Sequence, residues 1–347
     1  MFEKSKALNF IVLFFLLYIL KVGQSIFLPF VVALFLWCLI YILTNNYSKI
    51  FIEKLKLPAW SWYFARILAI VTLAGIIYFI VMGIKSNIDD VSQTFGHYQK
   101  NMGNIFDKIQ QYFGIKNKVA FHHVLRDINI GKVINSIAQG IASFVQSSMM
   151  VFIYLFFILL EEKSFSKKIP QLFSSKKKEK DAKALFEKIY SKIEIYVSVK
   201  MFTSFLTGVL AYIVMTSVNL DFAMFWAILI FLLNFIPTIG SIISSIFPIF
   251  FALLQFNGDL IPVSVVAIGI IAIQLLIGNI IDPKIMGRKL NLSPLVLILS
   301  LVIWGSIWGI VGMFLCVPIM IILTIVLLQF PSTKKFAMFL TEDGTTF

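Results

Sequence analysis

Apolar residues in this chain come in long unbroken runs, and polar residues gather in the gaps between them. Residues 7–22, 26–43, 64–84, 141–160 and 201–218 each read as one membrane helix. A stretch of about 18 or more apolar residues spans the ~30 Å hydrocarbon core of a bilayer. The runs are continuous rather than alternating with a period of two, which points to helices and away from a transmembrane barrel. Residues 23–25 predict a turn between the first two spans, and Trp60, Trp62 and Tyr63 form an interfacial aromatic cluster before the third.

Two later apolar segments, 222–256 and 294–330, are broken near their middles. The first break holds Asn234, Pro237 and Gly240; the second holds Gly305, Gly309 and Gly312. Proline removes a backbone donor and clashes with the preceding turn, and glycine weakens a helix by about 1 kcal/mol relative to alanine. In lipid every freed backbone group needs a partner in the protein or in a wet cavity. Interrupted helices in membrane chains therefore point to a transport site. Between the two segments lie a span at 262–281 and a basic polar stretch, 279–293, with Lys284, Arg288 and Lys289.

The remaining stretches are polar. Residues 85–140 mix charges of both signs, and they carry Ile105, Ile109, Tyr112 and Phe113 on one helical face and Val133, Ile134, Ile137 and Ile141 on another. They predict two or three amphipathic helices. Residues 164–200 are rich in lysine, with Leu185, Phe186, Ile189, Ile193, Tyr196 and Val197 as an apolar stripe, and predict a helix resting on an anionic leaflet. The plan is membrane helices 1–3 at 1–84, an external region at 85–140, a fourth span within 141–163, a basic cytoplasmic helix at 164–200, a broken-helix transport region at 201–330 and a tail at 331–347.

Composition sharpens this. The chain is 59% hydrophobic and 14% charged, with mean hydropathy +0.93, against about 25% charged in soluble domains. The predicted fold class is an all-α polytopic membrane protein with about eight membrane segments, two of them Pro/Gly-broken helical hairpins, plus amphipathic surface helices. The net charge is +13, but the lysines stand between spans and read as topology rather than as a nucleic-acid surface. Cys38 and Cys316 lie in apolar runs and predict no disulfide. The first run has basic residues ahead of it but no small-residue cleavage site, and reads as a retained helix. The positive-inside rule places both termini, 164–200 and 279–293 in the cytoplasm, and 85–140 outside. The two hairpins then enter from opposite faces, with tips meeting near the midplane around a solute, as alternating access requires.

Candidate pathway residues follow from the breaks and from polar groups in apolar surroundings. Asn234, Pro237, Thr238, Gly240 and Ser241 stand at the first break; Asn234 either faces a solute or bonds freed backbone, and the hydroxyls of Thr238, Ser241, Ser244 and Ser245 serve lining or helix packing. Gln274 and Asn279 are amides that need partners, in a solute or in a hairpin tip. Asp282 is either part of an ion or proton path or, beside Lys284 and Arg288, an interfacial ion pair or helix cap. Gly305 and Gly309, with Ser306 between them, read as close packing or as a hinge. His97, His122 and His123 have no acid or cysteine at ligand spacing and predict no metal site. No phosphate loop, HExxH or nucleophile elbow is present in the sequence, so no enzyme and no cofactor is expected. That leaves Na+ or H+ as the coupling ion, or downhill flux.

Three stretches carry a family resemblance: NFIPTIGSIISSIFPIFFALLQF from Asn234, QLLIGNIIDPKIMGRKLNLSPLVLILSLVIWG from Gln274, and the glycine-rich continuation through Pro318. With the spacing of Pro237, Gly240 and Pro248, and of Pro283, Lys284, Met286, Gly287 and Pro294, the second half resembles the AI-2E family of transporters. The first 200 residues match that family in plan only. The resemblance implies a bacterial inner-membrane transporter, either an exporter of autoinducer-2 or a related small polar solute, or a Na+(Li+)/H+ antiporter, and it implies a homo-oligomer. A membrane scaffold whose basic helix recruits partners is the non-transport alternative. The partners expected are thus the lipid bilayer and a small polar solute or monovalent cation, without nucleic acid.

Overall fold

The computed structural model describes residues 2–56, 58, 60–113, 148–162, 164, 168, 175–286 and 290–344. The stripe at Val133–Ile141, His122 and His123, and Gly287, Arg288 and Lys289 lie outside the described residues. Every regular element among the described residues is a helix. In order these are α1 (Phe2–Val22), α2 (Gln24–Lys49), α3 (Ser61–Phe113), α4 (148–162), α5 (Lys176–Ser217), α6 (Ala223–Leu233), α7 (Ile239–Gln255), α8 (Leu260–Leu276), α9 (Pro294–Leu327) and α10 (Pro331–Leu340). Wide π turns extend α2 through Ile50–Lys54 and α8 through Ile277–Ile281 into Asp282–Met286.

Among the described residues, five stretches are long and apolar enough to cross a bilayer: Gln24–Glu53, Ser61–Lys85, Glu179–Ser217, Leu260–Met286 and Pro294–Leu327. The shorter helices α6 and α7 are also apolar. Large apolar side chains such as Phe14, Phe152, Phe205, Ile261 and Ile268 are exposed, a surface suited to lipid and not to water.

Two helices run past the ends of their apolar runs. Helix α3 has 53 residues, about 80 Å at 1.5 Å per residue, so much of it must leave a ~30 Å core. No proline lies between Ile84 and Phe113, and Gly96 and Gly103 do not stop the helix. Gly83 is instead a close approach: a Cβ there would lie 2.5 Å from the Ile228 side chain. Helix α5 has 42 residues, and its lysine-rich start continues into the apolar run without a break at Lys200. Hydropathy marks where a helix leaves lipid, not where its hydrogen bonds end.

The chain divides into two compact units. One comprises Met1–Leu73, Ser147–Ser198 and Met286–Phe347, the other Ala74–Gln146 and Val199–Ile285. In the first unit Arg66 pairs with Glu162 and lies over the Trp62 ring, 5.1 Å from its centroid. Asn45 donates to the Tyr190 hydroxyl at 3.2 Å. Helix α9 reverses within this unit. Trp308 and Gly309 leave the helical region, Gly309 at φ 63°, ψ −144°, a conformation that only glycine adopts readily. Beyond it the arms run side by side: a Cβ on Gly312 would lie 2.0 Å from the Trp304 carbonyl oxygen, and the side chains of Cys316 and Ser300 hydrogen-bond. In a straight helix those pairs would be separated by about 12 and 24 Å. At the reversal the Trp308 indole donates to the Leu20 carbonyl at 3.1 Å.

The second unit packs around Met102, Met215, Ile230, Leu254, Val266 and Ile270. Helices α6 and α7 pair antiparallel. Trp226 stacks on Phe247 at 6.3 Å, and Phe222 meets Phe251 at 5.6 Å. At the open end of the pair, Gln255 accepts from the Asp221 amide at 2.7 Å and donates to the Asn219 carbonyl at 2.8 Å. The far part of α3 holds the same end. Tyr98 donates to Asp221 at 2.5 Å, and Asn101 to the Leu254 carbonyl at 3.0 Å.

Candidate functional site

At the closed end of the α6–α7 pair the chain leaves the helix over 234–238. Pro237 lacks the amide that would continue α6. Thr238 then adopts φ 54°, ψ −60°, strained for a β-branched residue. Gly240 is buried where a Cβ would lie 1.8 Å from the Leu233 carbonyl oxygen, so the turn closes only over a hydrogen. The side chain of Asn234, 7% exposed, reaches α5 and donates to Ser204 Oγ at 3.1 Å.

That contact belongs to a polar seam through apolar helices. On α5, Thr203, Ser204 and Thr207 are buried. Asp282 accepts from Lys200 Nζ at 2.5 Å and from Thr203 Oγ1 at 3.0 Å, with both charged side chains 13% exposed. On α7 the buried Ser244 receives Gln274 Nε2 from α8 at 3.4 Å. Three polar cross-links thus join α5, the break and α8 within one unit. Burying an unpaired amide or charge costs several kcal/mol, and here each has a partner. Such an arrangement holds exchangeable hydrogen bonds and one neutralised charge pair, the chemistry that lets a polar solute or a cation replace a protein partner. The π turn at Ile277–Ile281 widens α8 next to Asp282, a distortion that recurs at functional sites.

Comparison with known proteins decides what kind of molecule carries this seam. A model described as AI-2E family transporter matches residues 8–332. The chain belongs to the AI-2E transporter family. A Haemophilus influenzae protein named "Putative transport protein" is 31% identical over 330 residues, covering 93% of this chain and 92% of the relative. A Borreliella burgdorferi protein of the same name is 29% identical, covering 92% and 86%. The Escherichia coli K12 "AI-2 transport protein TqsA" is 28% identical, covering 93% and 91%. This AI-2E member is accordingly a multi-pass membrane protein of a transporter family, not an enzyme.

The structure brings Asn234, Gln274 and Asp282 into the seam, Gln274 by way of Ser244. Pro237, Thr238, Gly240 and Ser241 build the turn beside it: Thr238 Oγ1 donates to the Pro237 carbonyl at 2.7 Å and Ser241 Oγ to the Thr238 carbonyl at 2.8 Å. Asn279 is exposed within the π turn. Gly305, Ser306 and Gly309 belong to the other unit, at the α9 reversal. There Ser306 bonds its own helix at Ile303, and Gly305 faces the Met313 side chain. Asp282 pairs with Lys200 rather than with Lys284, which is exposed.

Sequence reasoning missed Lys200, Thr203, Ser204 and Thr207. Lys200 closes a run of lysines and reads as one more topological charge. Thr203 and Thr207 are four apart, on one face of an apolar helix. That spacing, next to a lysine at the apolar boundary, was the available signal.

Proposed function

We propose that this AI-2E member is a secondary transporter that exports a small polar solute by alternating access, and that the seam at the first break lines the solute's path. The carrying observation is the set of three cross-links, Lys200–Asp282, Ser204–Asn234 and Ser244–Gln274, inside otherwise apolar helices. Each is a hydrogen bond that a polar solute can take over. The α6–α7 pair is read as a re-entrant hairpin, because the 11 residues of α6 rise about 16 Å, half the ~30 Å core. Its tip, hinged at the strained Thr238, opens and closes the seam. The printed name of the Escherichia coli relative makes autoinducer-2 the first solute to try. The charge pattern supports a topology with both termini in the cytoplasm.

A second reading is a Na+(Li+)/H+ antiporter, favoured by the Lys200–Asp282 pair with the Thr203 hydroxyl beside it. A cation that displaces the lysine meets a carboxylate and a hydroxyl.

Proteoliposomes with imposed Na+ and pH gradients separate the two. The expected result is flux of labelled solute that persists without Na+ and falls at least tenfold in Asn234→Ala. Proton flux driven by Na+, absent in Asp282→Asn and unaccompanied by solute movement, would replace the exporter by the antiporter. Absence of both fluxes from folded, reconstituted protein would dismiss both.

A further inference from the structure

The short helix after α9 is held at both ends by the feet of α9. At its start, Thr333 Oγ1 donates to the Leu327 carbonyl at 2.7 Å. At its end, the Leu340 carbonyl accepts from the Ser293 amide at 3.0 Å, and Asn291 Oδ1 accepts from the amides of Glu342 and Asp343 at 3.2 and 3.3 Å. Helix α10 therefore bridges the point where α9 begins and the point where it ends. Its ten residues cover about 15 Å. Because α9 is apolar along its length, those two feet mark where the apolar layer stops. A helix strapped between them lies along the membrane surface.

The faces of α10 are distinct. Ala337 and Leu340 are buried. Phe336 and Phe339, three residues apart and so on one face, are 60% and 81% exposed, and Phe330 just before the helix is 56% exposed. Lys334 and Lys335 are exposed too. In water this would be a poor surface. At a bilayer interface it is a matched one, with phenylalanines at the acyl boundary and ammonium groups among phosphates. On α9 the apolar side chains Leu295, Leu299 and Val302 are exposed as well.

We propose that α10 is a lipid-binding strap: Phe336 and Phe339 enter the leaflet and Lys334 and Lys335 bind the phosphates of anionic lipids, fixing the feet of the α9 reversal. Its occupant is an anionic leaflet, chosen over a second copy of the chain because the face pairs aromatic rings with two cations.

The test is a spin label at Phe339→Cys in the full chain, with Cys38 and Cys316 changed to alanine, in nanodiscs. In phosphatidylglycerol discs the label should meet oxygen several-fold more often than a water-soluble nickel chelate. In phosphatidylcholine discs, or with Lys334→Glu and Lys335→Glu, nickel access should rise several-fold. Equal or greater nickel access in both lipids would overturn the proposal. So would lipid burial indifferent to headgroup charge, which removes the lysines from it, or strong spin–spin coupling between copies, which makes the face an oligomer contact. The same readout at Phe336→Cys serves if the first variant does not fold.

Discussion

At the scale of single residues, two places in and beside the seam are under stress. Thr238 holds a positive φ that costs about 1–3 kcal/mol. Thr238→Gly relieves it, less the entropy that glycine loses on folding, and should raise stability by about 1 kcal/mol, read as a higher thermal midpoint in detergent. If the strain serves the hinge, transport falls while stability rises. Lys200 and Asp282 are the second case. Removing one partner leaves a mostly buried charge alone and costs about 3–5 kcal/mol, while replacing both by apolar residues is close to neutral. Lys200→Met should therefore lower the midpoint far more than Lys200→Met with Asp282→Leu. Asn234, Pro237 and Gly240 were legible in the sequence because three weak helix formers fall close together in the middle of an apolar run. Lys200 was not, since its role depends on Asp282, 82 positions later.

At the scale of elements, both broken pairs depend on backbone contact that a methyl group prevents. Gly309→Ala forces a side chain into a region closed to it and should cost about 1–3 kcal/mol. Gly240→Ala drives a Cβ to within 1.8 Å of the Leu233 oxygen, so the turn must open, and folded yield and flux should fall together. The positions of the breaks were legible, because proline and glycine act locally. The grip of α3 on the α6–α7 pair was not, because Tyr98 falls in the polar 85–140 region and Asp221 in a loop, with no pattern linking the two. Burial and Asp221 push the Tyr98 phenol above its ordinary value of 10.0. The fold thus favours the neutral phenol. Its contribution is complete below pH ~10 and is lost as pH rises through the elevated folded value. Tyr98→Phe should cost about 1–3 kcal/mol at neutral pH and remove that alkaline loss, as measured by thermal melts from pH 8 to 11.

At the scale of the whole molecule, charge and hydropathy specify a polytopic helical protein, and they did so from the sequence alone. They did not show that α3 and α5 each continue through the boundary of an apolar run, because helix hydrogen bonds do not depend on the solvent outside. The proposed topology puts Lys108, on the far part of α3, and Lys183, near the start of α5, on opposite sides of the bilayer. Both are exposed. A membrane-impermeant maleimide added to intact cells should label Lys108→Cys and reach Lys183→Cys only after permeabilisation. Labelling of both from one side would discard that topology.

Paired, Lys200 and Asp282 sum to zero, so in the proposed carrier membrane voltage does no net work on the pair when the seam opens and closes. An unbalanced charge carried through the full field would exchange about 2.3 kcal/mol per 100 mV, about fiftyfold in an equilibrium. Solute flux in the native chain should then be flat against clamped voltage. Asp282→Asn, by leaving an ammonium without its counter-ion, should give whatever flux remains a slope, turning a voltage-blind device into one that reads the cell's electrical state.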